Sequence, residues 1–424
     1  MRRSRWVLFA FLSIVLISVC ITVSCVHAQS STVTDDWTMF MHDASHTSLT
    51  TSTAPVLTEG HWSYTTGASV TSSPAIVNGL IYVGSEDNDV YCFNATNGDV
   101  VWTYATGGPV GYSSPAVVNG YLYIGSYDDN VYCLNAMTGA LVWNFTMGNY
   151  TQSSPTVVNG CVYIGSGDDN VYCLNATNGN EIWNYTTRNS VDSSPAVVNG
   201  CVYIGSDDDN VYCLNATNGN EIWFSVTGNE VISSPAVVNG CVYIGSIDGN
   251  VYCLNASTGT GIWLFTTPLS SYGNSVDSSP AVANGLVYIG CIDSDVYCLN
   301  ASTGTPQWSY PTGNSVESSP AIAGGFVYIG SDDNNIYCFN ASTGALIWSH
   351  ATGNSVESSP AIANGILCVG SDDNGVYAFG ANLVTTQHSN TTFYIEIIVV
   401  LLLVIIVIAV VYFLFIRSRK AKNP

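Results

Sequence analysis

The chain has 424 residues, of which 47% are apolar and 9% charged, with a formal net charge of −22. Three of its eight Lys and Arg residues are Arg2, Arg3 and Arg5 and four lie beyond residue 416, so residues 29–393 hold Arg188 alone against 29 acids. This balance excludes nucleic acid and anionic membrane surfaces as partners, since both would be repelled, and favours cations or a basic protein surface.

Residues 1–28 carry the parts of a secretory signal: the three arginines, an apolar stretch from Trp6 to Val23, and Val26-His27-Ala28 as a small-residue cleavage site. The mature chain is expected to begin at Gln29. A lipoprotein reading through Cys25 is the weaker one, because Thr22-Val23-Ser24 lacks the usual upstream Leu. Residues 29–56 form a lead-in segment.

From 57 to 381 the chain repeats. Trp62, Trp102, Trp143, Trp183, Trp223, Trp263, Trp308 and Trp348 recur at spacings of 40, 41, 40, 40, 40, 45 and 40 residues. Each unit holds four strand-length apolar runs separated by turns, the pattern of a β-propeller. In the unit starting at Ser193, Asn199-Gly200 is a hairpin signal, because both residues tolerate positive φ, and Thr217-Asn218-Gly219 marks the next turn but one. Ser-Ser-Pro opens eight units, but the last one runs out at Ala378-Phe379-Gly380 without a tryptophan. The stretch around Trp62 supplies the missing strand. The expectation is an all-β ring of eight four-stranded antiparallel blades, closed by this N-terminal strand.

Seven cysteines occupy one repeat position: Cys92, Cys133, Cys173, Cys213, Cys253, Cys298 and Cys338. An exported chain invites a disulfide reading, but equivalent positions on neighbouring blades are too far apart to bridge. Within a blade, pairing Gly165 with Asn170 puts Cys161 opposite Leu174, so that Cys161 and Cys173 point to opposite faces. Buried free thiols are expected.

Acids concentrate in the second-to-third strand turns and in the connections between blades, which open on one side of a propeller. They account for 22 of the 29 exported acids, so one face is expected to be strongly negative. That face suits a basic protein, although turns also favour Asp for conformational reasons. Asp207, Asp208, Asp209, Asp332 and Asp333 are the weak candidates for calcium. Consecutive aspartates alternate in direction, so no single turn wraps an ion.

Asn-x-Ser/Thr sequons occur at Asn94, Asn144, Asn149, Asn175, Asn184, Asn215, Asn255, Asn300, Asn340 and Asn390. Most belong to the repeat itself. Asn390, in a stalk over 382–393, is the best candidate for a glycan. Residues 394–416 are apolar except for Glu396 and long enough to span a bilayer as a helix. The basic tail 417–424 follows directly, which places the C-terminus in the cytoplasm and the propeller outside.

The segment Cys173-Leu174-Asn175-Ala176-Thr177-Asn178-Gly179-Asn180-Glu181-Ile182-Trp183 resembles the tryptophan-docking repeat of quinoprotein (PQQ-repeat) propellers, A-x-D-x-x-T-G-x-x-x-W. Here Asn175 stands for the usual Asp and Cys173 for the usual Ala. Trp37 to Phe40, with His42, Asp43 and His46, resembles the opening segment of such propellers. This implies packing for the two histidines and Asp43, whose spacing would also suit a metal. The resemblance implies that each Trp docks on an adjacent blade's turn, with Gly leaving room for the indole.

Quinone-dependent dehydrogenases of this fold carry long insertions, a vicinal cysteine pair, a calcium site and a catalytic Asp; none is visible here. Residues 159–183 and 199–223 differ only at Gly167 against Asp207, and near-identical blades argue against differentiated catalytic residues. The compact BamB-type propellers are the closer resemblance. They imply a binding or scaffolding role, and similar propellers serve as outward sensors. The span over 394–416, where BamB carries a lipid, departs from that pattern and makes this chain a non-enzymatic, membrane-anchored scaffold or sensor for a protein partner, with no cofactor beyond weak calcium. The alternatives are a PQQ-dependent oxidoreductase and a cation-dependent cell-surface structural or adhesion protein.

Overall fold

A computed structural model describes residues 35–53, 60–271 and 273–380; the signal, the stalk with Asn390, the apolar segment 394–416 and the basic tail lie outside these residues. Eight sheets surround one axis. Their inner strands begin at Ala75, Ala116, Thr156, Ala196, Ala236, Ala281, Ala321 and Ala361, which number blades 1 to 8. In blade 4 the strands run outward as Ala196–Val198, Cys201–Ser206, Asn210–Asn215 and Glu221–Val226. Asn199 and Gly200, at φ 52° and 79°, make the two-residue turn between the first pair, where a left-handed backbone matches the twist of the strands.

The ring closes as expected. Gly60–Thr65 is the outer strand of blade 8 and pairs antiparallel with Gly375–Gly380, Trp62 facing Ala378 and Tyr64 facing Val376. Blade 7 departs from the four-strand expectation: Leu49–Thr50 adds a fifth, parallel strand against Ile322 and Ala323.

One expected register is wrong by a residue. Gly165 faces Val171 rather than Asn170, and Cys161 faces Asn175. The cause is the turn, in which Ser166 N–H donates to the Asn170 carbonyl at 3.0 Å and Asp169 takes φ 69°, so Asn170 closes the turn. Side chains alternate along a strand, so Cys161 and Cys173 share a face, diagonal across Tyr163. The twelve described cysteines are unbridged, and the seven strand thiols are fully buried. Burial pushes the Cys92 and Cys133 thiols up to about 12.

Three sets of contacts hold the blades together. In the first, Trp183 Nε1 donates to the Ala216 carbonyl of the next blade at 3.0 Å, and the same bond runs from Trp62, Trp102, Trp143, Trp223, Trp263 and Trp308. A bulge in the outer strand turns Ile182 outward and Trp183 inward. Each indole lies on a glycine: a Cβ at Gly219 would stand 2.6 Å from Trp183, at a φ of +71° that already disfavours a side chain. Trp348, in blade 7, packs beside Phe379 with ring centroids 5.9 Å apart. Asn215 Oδ1 shapes the docking turn by accepting from Thr217 and Asn218 N–H, so the amide supplies the acceptor that Asp provides in the family repeat.

The second set explains Ser-Ser-Pro. The second serine of each blade donates its backbone N–H to the hydroxyl of its counterpart on the next, from Ser73 to Ser114, Ser154, Ser194, Ser234, Ser279, Ser319, Ser359 and back to Ser73, at 2.8 to 3.0 Å. The first serine accepts from the glycine of its own second strand, as Ser193 Oγ does from Gly205 N–H at 3.0 Å.

The third set is the lead-in segment, which lies across the inner edges of the sheets. Its carbonyls accept from inner-strand N–H groups: Trp37 from Ile76, Thr38 from Val117, Ala44 from Val197, Ser45 from Val237, Thr47 from Val282 and Ser48 from Ile322. Ser52 Oγ accepts from Gly365 N–H in blade 8, and His46 Nε2 meets Thr156 Oγ1 in blade 3. The segment thereby touches all eight blades and satisfies edges that would otherwise be left unpaired near the axis.

Removing the seam indole should test closure. We expect Trp62→Ala to cost about 3 kcal/mol, the low end for a large-to-small change at a partly buried Trp. Equilibrium urea unfolding measures this; an unchanged midpoint would show that the seam carries no stability.

Candidate functional site

The blades are not identical where they meet the axis. The residue before each Ser-Ser-Pro is Thr71, Tyr112, Gln152, Asp192, Ile232, Asp277, Glu317 or Glu357, while the residues flanking it hardly change. All eight line a single axial cavity of about 360 Å3, with Phe40 of the lead-in segment also in its wall. The near-identity of residues 159–183 and 199–223 thus does not extend to this position, and the ring gathers the variable positions in one place.

The turns between second and third strands reach the same mouth, and their three acidic positions do different work. The middle carboxylate is structural. Asp168 Oδ2 accepts from Gly148 N–H at 2.7 Å and Tyr172 O–H at 2.6 Å; Asp208 and Asp333 accept likewise from Tyr212 and Tyr337. The third position holds positive φ, as at Asp129, Asp169 and Asp209. The first varies, and Asp207, Asp332 and Asp372 stand there, each with one buried carboxylate oxygen that has no partner among the described residues. Of the five calcium candidates, Asp208 and Asp333 are thus engaged by tyrosines and Asp209 by its turn, leaving Asp207 and Asp332 near the mouth. Among the described residues no three His, Cys, Asp or Glu stand together as a metal site.

Carboxylates from turns and connections crowd one another. Burial, then Asp332, Glu357, Asp277 and Asp372, push the Glu317 carboxyl up to about 8. Burial, then Asp192 and Glu230, lift Asp207 to about 7, and burial with Glu357, Glu86 and Asp332 lifts Asp372 to about 7. Burial with neighbouring glutamates also raises Asp192 and Asp332 to about 6. Tyr112 O–H donates to Glu357 Oε2 at 2.9 Å across the mouth.

On the lead-in side, His46 is fully buried, its Nδ1 paired with the Pro235 carbonyl at 3.1 Å, and burial lowers it to about 4, so it is neutral at pH 7. His42 lies between Asp35 and Asp43, at 3.3 and 3.5 Å. In the repeat, Asn94, Asn175 and Asn215 spend their amide oxygens on turn N–H groups, whereas Asn144, Asn149 and Asn184 are exposed. Sequence reasoning missed the axial cavity; the signal was the one freely varying residue before a fixed Ser-Ser-Pro, itself preceded by Val in six of the eight units.

The sign of the pH dependence follows. Unfolded carboxylates titrate near 4, so the folded chain binds more protons between there and about 8, and stability falls as pH rises through that window. His46, lowered from 6.5, acts oppositely between about 4 and 6.5. With EDTA present, the melting temperature should therefore fall from pH 6.5 to 8.5, and Glu317→Gln should flatten that fall. A wild-type profile that rises instead would contradict the crowding.

The family model described as outer membrane protein assembly factor BamB matches residues 58–115, 105–194, 168–323 and 293–392. Among curated protein sequences no relative matches. Of solved structures, BamB from Moraxella catarrhalis is 18% identical, with a TM-score of 0.66, covering 77% of this chain and 100% of that one. A europium-containing methanol dehydrogenase is 14% identical, with a TM-score of 0.71, covering 82% and 98%. The computationally designed Ika8 protein is 16% identical, with a TM-score of 0.65, covering 75% and 98%. At these identities the structural likeness shows the fold alone, and the family match carries the assignment. The chain belongs to the family of the outer membrane protein assembly factor BamB, built as an eight-bladed β-propeller of PQQ-type repeats.

Proposed function

We propose that this propeller is a non-catalytic scaffold, exported and tethered by residues 394–416, that docks a basic protein partner on its acidic loops. The observation that carries this reading is the gathering of turn and connection carboxylates at one mouth, with Arg188 the lone Lys or Arg of residues 29–393. A field of one sign raises the encounter rate with an oppositely charged surface and makes it sensitive to salt. The BamB family match supports a binding role; the loops, rather than the buried strands, are what the ring offers to another protein. Among the described residues no helix is long and apolar enough to cross a membrane, and the tether is argued from sequence.

The likeness to a methanol dehydrogenase keeps quinone-dependent oxidation as the second reading. Here the axial space is lined by Phe40 and by the short connections that carry Ser-Ser-Pro, and most blades follow the 40-residue spacing without added loops. The third reading, a calcium-organised surface protein, requires a large rise in melting temperature at millimolar calcium.

Two measurements separate these readings. Purified full-length chain mixed with the quinone and calcium should give no stoichiometric cofactor absorbance and no dye reduction; turnover would replace the scaffold reading. Asp129, Asp169 and Asp209 sit in turns whose positive φ asparagine also tolerates. Changing all three to Asn should leave the melt unchanged and weaken retention of the basic protein partner about tenfold in a pull-down at low salt. Equal retention would remove the acidic loops from the interface.

A further inference from the structure

The axial cavity has properties that a loop-docking role does not use. Asp277, Glu317 and Glu357 stand in its wall on three consecutive blades, with Asp192 two blades before the first of them. Uncharged Gln152, Tyr112 and Thr71 hold the same position elsewhere, so the negative charge is lopsided rather than a property of the repeat. Thr71 is only 6% exposed, yet its Oγ1 has no hydrogen-bond partner among the described residues, and Asp192 Oδ1, three blades on in the same lining, is buried and unpartnered as well. Buried acceptors without donors cost free energy unless a ligand or water supplies them. Aromatic and aliphatic surface from Phe40, Ile232 and Tyr112 completes the wall.

From these residues we infer that the cavity is a binding site for a small linear polyamine, whose ammonium groups meet the separated carboxylates while its methylenes lie on the apolar wall. A single hard cation fits poorly, because it draws six to eight oxygens to about 2.3–2.6 Å and these carboxylates belong to different blades. No three acidic or His/Cys groups among the described residues are placed to hold one ion. A volume of about 360 Å3 also exceeds what one ion needs and lies within the range of small-molecule pockets. The cavity adjoins the loop surface proposed for a protein partner and shares the connection carboxylates with it, but the turn aspartates Asp129, Asp169 and Asp209 that test the partner do not line it, so each reading can fail without the other.

The elevated Glu317 carboxyl, faced by Asp277, Asp332, Glu357 and Asp372, is relieved by an ammonium neighbour. Binding should therefore tighten as pH rises from 6 to 8.5, while the polyamine stays charged.

The test is calorimetric titration of spermidine into the purified full chain in EDTA. We expect saturable one-to-one binding that weakens at least tenfold in Asp277→Asn/Glu317→Gln. Equal binding should persist in Glu181→Gln/Glu221→Gln, which removes two charges from exposed outer strands. Ile232→Trp, which fills the cavity from an uncharged wall position, gives a second route if the acid variant does not fold, and should abolish binding. No saturable heat would overturn the proposal. So would equal loss in the outer-strand variant, which would mark diffuse attraction, or binding retained by Ile232→Trp. Saturable uptake of calcium alone that excludes spermidine would likewise overturn it, in favour of a metal site.

Discussion

The circle of eight serine bonds at the inner edge is the constraint on which the rest of the ring depends. Each bond passes from the backbone of one blade to the hydroxyl of the next, and the eighth returns to Ser73, so the blade number is fixed by closure. A circle of this kind sets a common radius and angle for all the inner strands. The outer tryptophans then find the glycine turns of their neighbours at one repeated distance, and their indole N–H groups find the alanine carbonyls. Proline after the second serine suits this place, since it has no N–H to leave unpaired at the start of the inner strand.

A closed circle leaves a second problem, because eight inner strands expose eight unpaired edges around a narrow axis. The lead-in segment resolves it by running across those edges and lending its carbonyls in turn. His46, Met39 and Met41 are buried in the process, and neutral His46 serves as a polar peg between blades 3 and 5. With that end occupied, the other end of the axis is where a cavity remains. The fold thus has two unlike ends, one filled by its own chain and one lined by carboxylates.

Electrostatics sharpen the difference. Structural aspartates such as Asp168 are held ionised by tyrosine and backbone donors, and Asp168 is shifted downward on balance despite its burial. Their neighbours at the first turn position have no such donors and are shifted upward. Carboxylates of one composition therefore divide into those held by donors within their own turns and those that face the mouth without one.

Much of the architecture was written in the sequence. The tryptophan period, the Asn-Gly and Thr-x-Gly turns and the unfinished last unit were enough for eight blades and for the Trp62 seam, because turn chemistry and strand pattern are local properties that repeat eight times. The cysteine register was misread, since one residue in the Ser166–Asn170 turn decides parity and several turn geometries fit the same letters. The serine circle, the path of the lead-in segment and the cavity belonged to tertiary structure alone. Thr71, Asp192 and Glu317 are far apart in the chain, and only closing the ring brings one residue from each blade to a common axis.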